Sequence, residues 1–122
     1  MKRLNKEVGF LGEEIAVKYL KKYGYVILER NFNCKIGEID IIGKDKDYIV
    51  FIEVKTRYSN IYGSPGEAVT HSKQYKIYKI AQYYIMNKKF YKFNFRFDVI
   101  EIMLNNKNNK YSIKLIKNAF QI

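Results

Sequence analysis

Between Leu4 and Tyr23 the apolar residues Val8, Leu11, Ile15, Ala16, Tyr19, Leu20 and Tyr23 recur at helical spacing. A helix with one broad apolar face is predicted there, and Gly24 stops it. The period then shortens. Tyr25 to Phe32, Ile39 to Ile42 and Tyr48 to Thr56 read as strands, and the polar run Lys44-Asp45-Lys46-Asp47 turns the last two into a hairpin. Residues 57–63, with Ser59, Asn60 and Gly63, read as a loop, and Ser64-Pro65-Gly66-Glu67 has capping-box spacing that opens a helical turn. Thr70 is placed to cap a longer helix ending near Lys89, with Ile77, Ile80, Ala81, Tyr84 and Ile85 as its buried face. Phe93 to Leu104 alternates as a strand, with Phe93, Phe95, Phe97 and Val99 on one side. Residues 105–110 turn, and Tyr111 to Ile116 forms the last strand. The order α-β-β-β-α-β-β predicts an α/β layer fold, a mixed sheet flanked by helices. At 122 residues the expectation is one domain, 1–122.

One strand breaks its own pattern. Tyr48 to Ile52 and Val54 form a buried run, yet Glu53 and Lys55 lie within it, two apart, and leave the sheet on one face. Burying a carboxylate and an ammonium is costly unless they are paired or bind something. With the hairpin turn centred on Asp45-Lys46, Glu38 opposes Glu53, Asp40 opposes Phe51, and Asp40 becomes a diagonal neighbour of Glu53. Glu38, Asp40, Glu53 and Lys55 then share a face, an arrangement that a loop of odd length would destroy. On the first helix, Glu13 falls at the margin of the apolar face beside Gly9, Ala16 and Leu20. Glu14 falls on the solvent side among Lys18 and Lys21, with an i,i+4 partner. Gly9 and Gly12 permit close backbone approach beside Glu13.

Clustered carboxylates repel, and one lysine does not neutralise three of them. Oxygen-only donors point to Mg²⁺ or Mn²⁺. Such an ion lowers the pKa of a bound water and stabilises charge on a phosphoryl oxygen, with Lys55 placed to orient the nucleophile or offset developing charge. The net charge of +11 suits a polyanionic partner, DNA above all, although a chain rich in Lys, Asn, Ile and Tyr also reflects AT-rich codons. No apolar run is long enough to span a membrane, and Glu7, Glu13 and Glu14 interrupt any secretory leader. The lone Cys34 has no internal disulfide partner, so a cytoplasmic protein is expected.

An E-x-K tripeptide alone is a weak signal, and its ordinary explanation is an ion pair at a strand end. The combination is stronger, because Asp40 precedes it on a hairpin with a helix glutamate upstream. Asp40, Glu53 and Lys55 resemble the PD-(D/E)XK nuclease superfamily. More closely, the chain resembles the YraN family, small bacterial proteins expected to be nucleases related to archaeal Holliday junction resolvases. The matching elements are Gly9-x-x-Gly12-Glu13-x-x-Ala16, Tyr19-Leu20, Gly24-Tyr25, Ile27-Leu28, Arg30-Asn31, Gly37-Glu38-Ile39-Asp40 and Phe51-x-Glu53-Val54-Lys55-Thr56-Arg57. They continue through Gly63-Ser64-Pro65-x-Glu67-Ala68-Val69-Thr70, Lys73-Gln74 and Phe97-Asp98-Val99.

The resemblance implies a restriction-endonuclease-like fold. It implies Glu13, Asp40 and Glu53 as metal-site carboxylates, the Val54 carbonyl as a further ligand, and Lys55 as the catalytic lysine. Ile39 stands where the superfamily has proline, and Glu38 is an additional acid, either a second metal ligand or a partner for Arg57. Gln74 and Tyr78 fit a Q-x-x-x-Y pattern one helical turn apart, able to reach a phosphate or the metal shell; a capping residue and a core tyrosine are the plainer alternatives. His71, the one histidine, decorates the helix start. Arg57 and Lys73 are the candidate nucleic-acid contacts. The sequence therefore favours a metal-dependent DNA endonuclease acting on branched or flapped substrates, with a homodimer suited to cutting two strands. The rival readings are a non-catalytic nucleic-acid-binding protein and a scaffold, each retaining the nuclease fold.

Overall fold

Alternation along the strand Tyr48–Tyr58 divides the core in two. Val50 and Ile52 pack with Ile15, Ala16 and Leu20 of the first helix, whereas Ile49 and Phe51 pack with Ile77, Ile80 and Tyr84 of the second. A strand buried on both faces lies at the centre of a sheet with helices on both sides. The computed structural model describes residues 2–58 (side chains from residue 7), 69–105, 107–108 and 110–121. The expected loop residues Ser59, Asn60 and Gly63 and the capping box at 64–67 lie outside the described residues.

The elements are α1 (Lys2–Lys22), β1 (Val26–Cys34), β2 (Gly37–Asp45), β3 (Tyr48–Tyr58), α2 (His71–Lys88), β4 (Asn94–Leu104) and β5 (Tyr111–Ile116). The sheet runs β1-β2-β3-β4-β5, parallel between β3 and β4 and antiparallel elsewhere. Parallel pairing requires a crossover, and α2 lies within it. This is the restriction-endonuclease-like α/β architecture, in the element order expected. Thr70 caps α2 by accepting the Lys73 N–H at 3.2 Å, and Lys89 closes it in the left-handed region with φ 58°. On α1 the buried face is shifted from the expected one: Val17 is buried, while Leu11 and Tyr23 are exposed.

The hairpin register also differs from expectation. Asp45 pairs with Tyr48, so the turn is Lys46-Asp47, with Lys46 at φ 57°. The pairing is displaced by two residues, which preserves the predicted faces as far as Ile41, where the ladder ends, but changes the partners. Continuing the register sets Asp40, not Glu38, opposite Glu53. Asp45 stays in the ladder, and its carboxylate accepts from the Arg96 guanidinium at 2.8 Å. Arg96 also donates to Asp98, which is fully buried, and to the Tyr25 hydroxyl, while the Asn118 N–H donates to Asp98 as well. A buried carboxylate so completely partnered is a structural clamp, and it ties β2, β4 and the start of β1 together at the turn end of the hairpin.

Gly12 sets how closely α1 approaches the sheet. A Cβ there would lie 1.8 Å from Thr56 Oγ1, whereas one at Gly9 would meet nothing within 4 Å. The close-approach expectation therefore holds for Gly12 and fails for Gly9. Gly12→Ala is expected to destabilise the protein by roughly 1–3 kcal/mol, and Gly9→Ala to stabilise it by up to about 1 kcal/mol through helix propensity. Urea denaturation of the two variants checks both signs; equal effects would contradict the packing.

Candidate carboxylate site at the fork of the hairpin

Strands β2 and β3 pair from Asp45–Tyr48 up to Ile41–Ile52, and there the ladder ends. The next backbone donor of β3 is satisfied by a side chain instead: the Val54 N–H donates to Asp40 Oδ2 at 2.8 Å. A carboxylate standing in for a strand carbonyl keeps that donor paired while the strands part. The neighbouring strand bends at the same place. The pairs Arg30–Ile41 and Phe32–Ile39 set Asn31 opposite Asp40, and Asn31 adopts φ 51°. Asparagine tolerates this left-handed conformation better than most residues. Its effect is a switch of faces, for Ile41 packs with the α1 cluster while Ile39, two residues away, packs with the α2 cluster. Ile39, which takes the place of the superfamily proline, is thus a buried core residue.

The fork opens a cleft on each side of the sheet, and Asp40 and Glu53 line both. On the α1 side, Val8, Gly9, Glu13, Val54, Thr56 and Arg57 complete a cleft of about 460 Å³. On the α2 side, Glu38, Thr70, Ser72, Lys73 and Lys76 contribute to one of about 480 Å³. The five acids and lysines expected at the core of the site are placed as follows. Glu13, Asp40 and Glu53 converge, and Glu38 stands at the rim, exposed. Lys55 is half-buried and shares the Glu53 face by alternation, with Glu101 of β4 beside it and Lys114 of β5 beyond.

The electrostatics reflect crowding of like charge. Burial, then the Glu53 carboxylate and more weakly Glu13, push Asp40 up to about 7, against the favourable Val54 N–H. Glu13 is raised by burial and by Glu38, with the Asn31 amide and Arg30 opposing. Glu53 is nearly buried and is met by the Lys73 Nζ, although the Lys73 side chain remains half exposed. Lys73, expected only as a nucleic-acid contact, thus enters the site itself. Gln74 donates its amide to the Val69 carbonyl at 2.7 Å, and Tyr78 packs on the Phe97 ring, so both serve the fold in this state. Glu14, on α1, pairs with Arg30 of β1 at 2.5 Å. Arg57 is exposed on the α1 cleft, and Cys34 is a half-buried thiol at the end of β1.

Among the described residues no three His, Cys, Asp or Glu side chains are gathered closely enough to form a metal cage. The donor chemistry nonetheless suits a hard divalent cation. Asp40 and Glu53 offer two facing carboxylates whose repulsion such an ion relieves, and Mg²⁺ commonly takes one or two carboxylates and keeps several waters. Among the described residues no helix is long and apolar enough to cross a membrane.

Residues 12–102 match the family described as Uncharacterised protein family UPF0102. The chain is 69% identical over 119 residues to a UPF0102 protein of Clostridium botulinum strain Hall, covering 97% of each chain. It is 62% identical over 122 residues to a UPF0102 protein of Clostridium tetani, covering all of both.

The raised Asp40 has a definite pH signature. Its folded form binds a proton that the unfolded chain, with an ordinary aspartate pKa, has already released, so its contribution to stability is full in acid and is lost as pH rises through about 7. Asp40→Asn retains an acceptor for the Val54 N–H without the charge. The variant is expected to gain melting temperature over the parent at pH 8 and to lose that advantage near pH 4. A difference independent of pH would contradict the placement of Asp40.

Proposed function

We propose that this chain, which belongs to the UPF0102 family (the YraN family of its sequence motifs), is a divalent-cation-dependent DNA endonuclease. The observation that supports this reading is the convergence of Asp40 and Glu53 at a fork open to both faces of the sheet. Two carboxylates crowded there cost stability, and in a chain of net charge +11 there is no shortage of cations to replace one of them. Such a pair makes sense as a cation site.

In this reading Asp40 and Glu53 hold Mg²⁺ or Mn²⁺, with Glu13 facing them from α1. The ion supplies positive charge at a phosphoryl oxygen and acidifies a bound water. Lys55, on the Glu53 face, orients the attacking water or balances charge on the phosphate. Ser72 and Lys76 on the α2 cleft and Arg57 on the α1 cleft offer donors to the flanking phosphates. Branched or flapped DNA is the proposed substrate, since an open cleft on each face leaves room for strands that diverge.

One observation favours a second reading. The Lys73 ammonium already pairs with Glu53, as it would in a non-catalytic DNA-binding protein whose acids are satisfied internally. Incubation of purified protein with single-stranded, duplex, flapped and four-way-junction DNA separates the two. The nuclease reading expects cleavage with Mg²⁺ or Mn²⁺ that stops on EDTA addition. It expects rates to fall about 100-fold or more in Asp40→Asn, Glu53→Gln and Lys55→Met. No cleavage of any form, or undiminished cleavage by Glu53→Gln, would overturn it in favour of the binding protein.

A further inference from the structure

Lys73 and Arg96 each pair with a nearly or fully buried carboxylate, and the contrast between them is informative. Arg96 is itself largely buried, with its side chain 12% exposed, and its donors are shared among Asp45, Asp98 and Tyr25. Among the described residues the Lys73 side chain pairs with Glu53 alone, and it is 50% exposed. A lysine on a flexible stem, hydrated in both positions, gives up one ion pair at little cost, whereas a forked and buried arginine does not. The Lys73 backbone is fixed at the start of α2, where its N–H donates to Thr70 Oγ1. Only the side chain need move. It stands on the α2-side cleft beside Ser72 and Lys76, the wall that a phosphate would meet.

We propose that Lys73 is a displaceable countercharge: it occupies Glu53 when no divalent cation is bound, and on cation binding it swings into the α2-side cleft to hold a phosphate of the nucleic acid. This rests on the nuclease reading for its second half alone; the countercharge itself needs only the Lys73–Glu53 contact. It makes Lys73 a positioning residue that couples cation to substrate. The cation must displace an internal competitor, and the displaced ammonium then adds to phosphate affinity.

Two measurements without DNA test it. Thermal melts of the parent, Lys73→Met, Glu53→Gln and the double variant, in EDTA, form a double-mutant cycle. Lys73→Met is expected to lower the melting temperature in the parent background and not in the Glu53→Gln background; additive effects would overturn the countercharge. Calorimetric titration with Mn²⁺ follows. Lys73→Met is expected to bind the ion about tenfold more tightly than the parent, the scale of removing one nearby like charge, and Lys73→Arg to bind no more tightly than the parent. Measurable Mn²⁺ binding that Lys73→Met leaves unchanged overturns the displacement while the nuclease reading stands. Coupling in the cycle with no Mn²⁺ binding to any variant overturns the displacement together with the cation reading. If both arms hold, Lys73→Met should also weaken binding of a DNA junction in Mn²⁺ several-fold, and unchanged DNA affinity would overturn the phosphate role.

Discussion

The hydrogen bond from the Val54 N–H to Asp40 is the constraint on which the site depends. It replaces a rung of the β2–β3 ladder with a carboxylate, so the strands part without leaving the Val54 donor unpaired. Parting exposes Asp40 and Glu53 to clefts on both faces of the sheet, and Asn31, in its left-handed conformation across from Asp40, carries β1 through the same bend. Remove the fork and the ladder would continue with the two carboxylates directly opposed, with no opening between them.

The other end of the hairpin explains why the opening stays local. Asp45, Tyr25 and Asp98 are bound together by Arg96, and the ladder there runs unbroken through Ile41–Ile52. The protein thus carries two clusters of buried acid with opposite chemistry. One is saturated by a buried guanidinium and fixes the strands. The other has, among the described residues, one half-exposed lysine paired with Glu53, and burial with mutual repulsion raises Asp40 despite the Val54 N–H. Saturation marks structure, and under-compensation marks a place for a ligand. Gly12 brings α1 close enough to deliver Glu13 to the second cluster, because only a hydrogen fits against Thr56.

Much of this was legible in the residues. Period-3.6 and period-2 patterns located the two helices and five strands of the described residues, since each buries a face and the burial dictates the period. The nearness of Asp40 and Glu53 followed from their places on the hairpin. The exact partner did not, because Lys44-Asp45-Lys46-Asp47 is nearly symmetric and either central pair can turn. What decides is Asp45's bond to Arg96, from a strand some fifty residues on, which no local pattern reveals. The face switch at Asn31 had a signal, an asparagine inside a strand, that is easily passed over. Lys73 was named from its neighbourhood, but its reach into Glu53 depends on where the α2 crossover returns, and that is tertiary. Gln74 shows the converse, a motif residue whose amide is spent on the Val69 carbonyl.

The central claim is that Asp40 and Glu53 form a divalent-cation site. Anomalous diffraction from crystals equilibrated with Mn²⁺ tests it most directly. The account predicts a manganese peak between the two carboxylates, with the Lys73 ammonium withdrawn from Glu53. A fully equilibrated crystal with no peak there, and Lys73 still paired with Glu53, would contradict it.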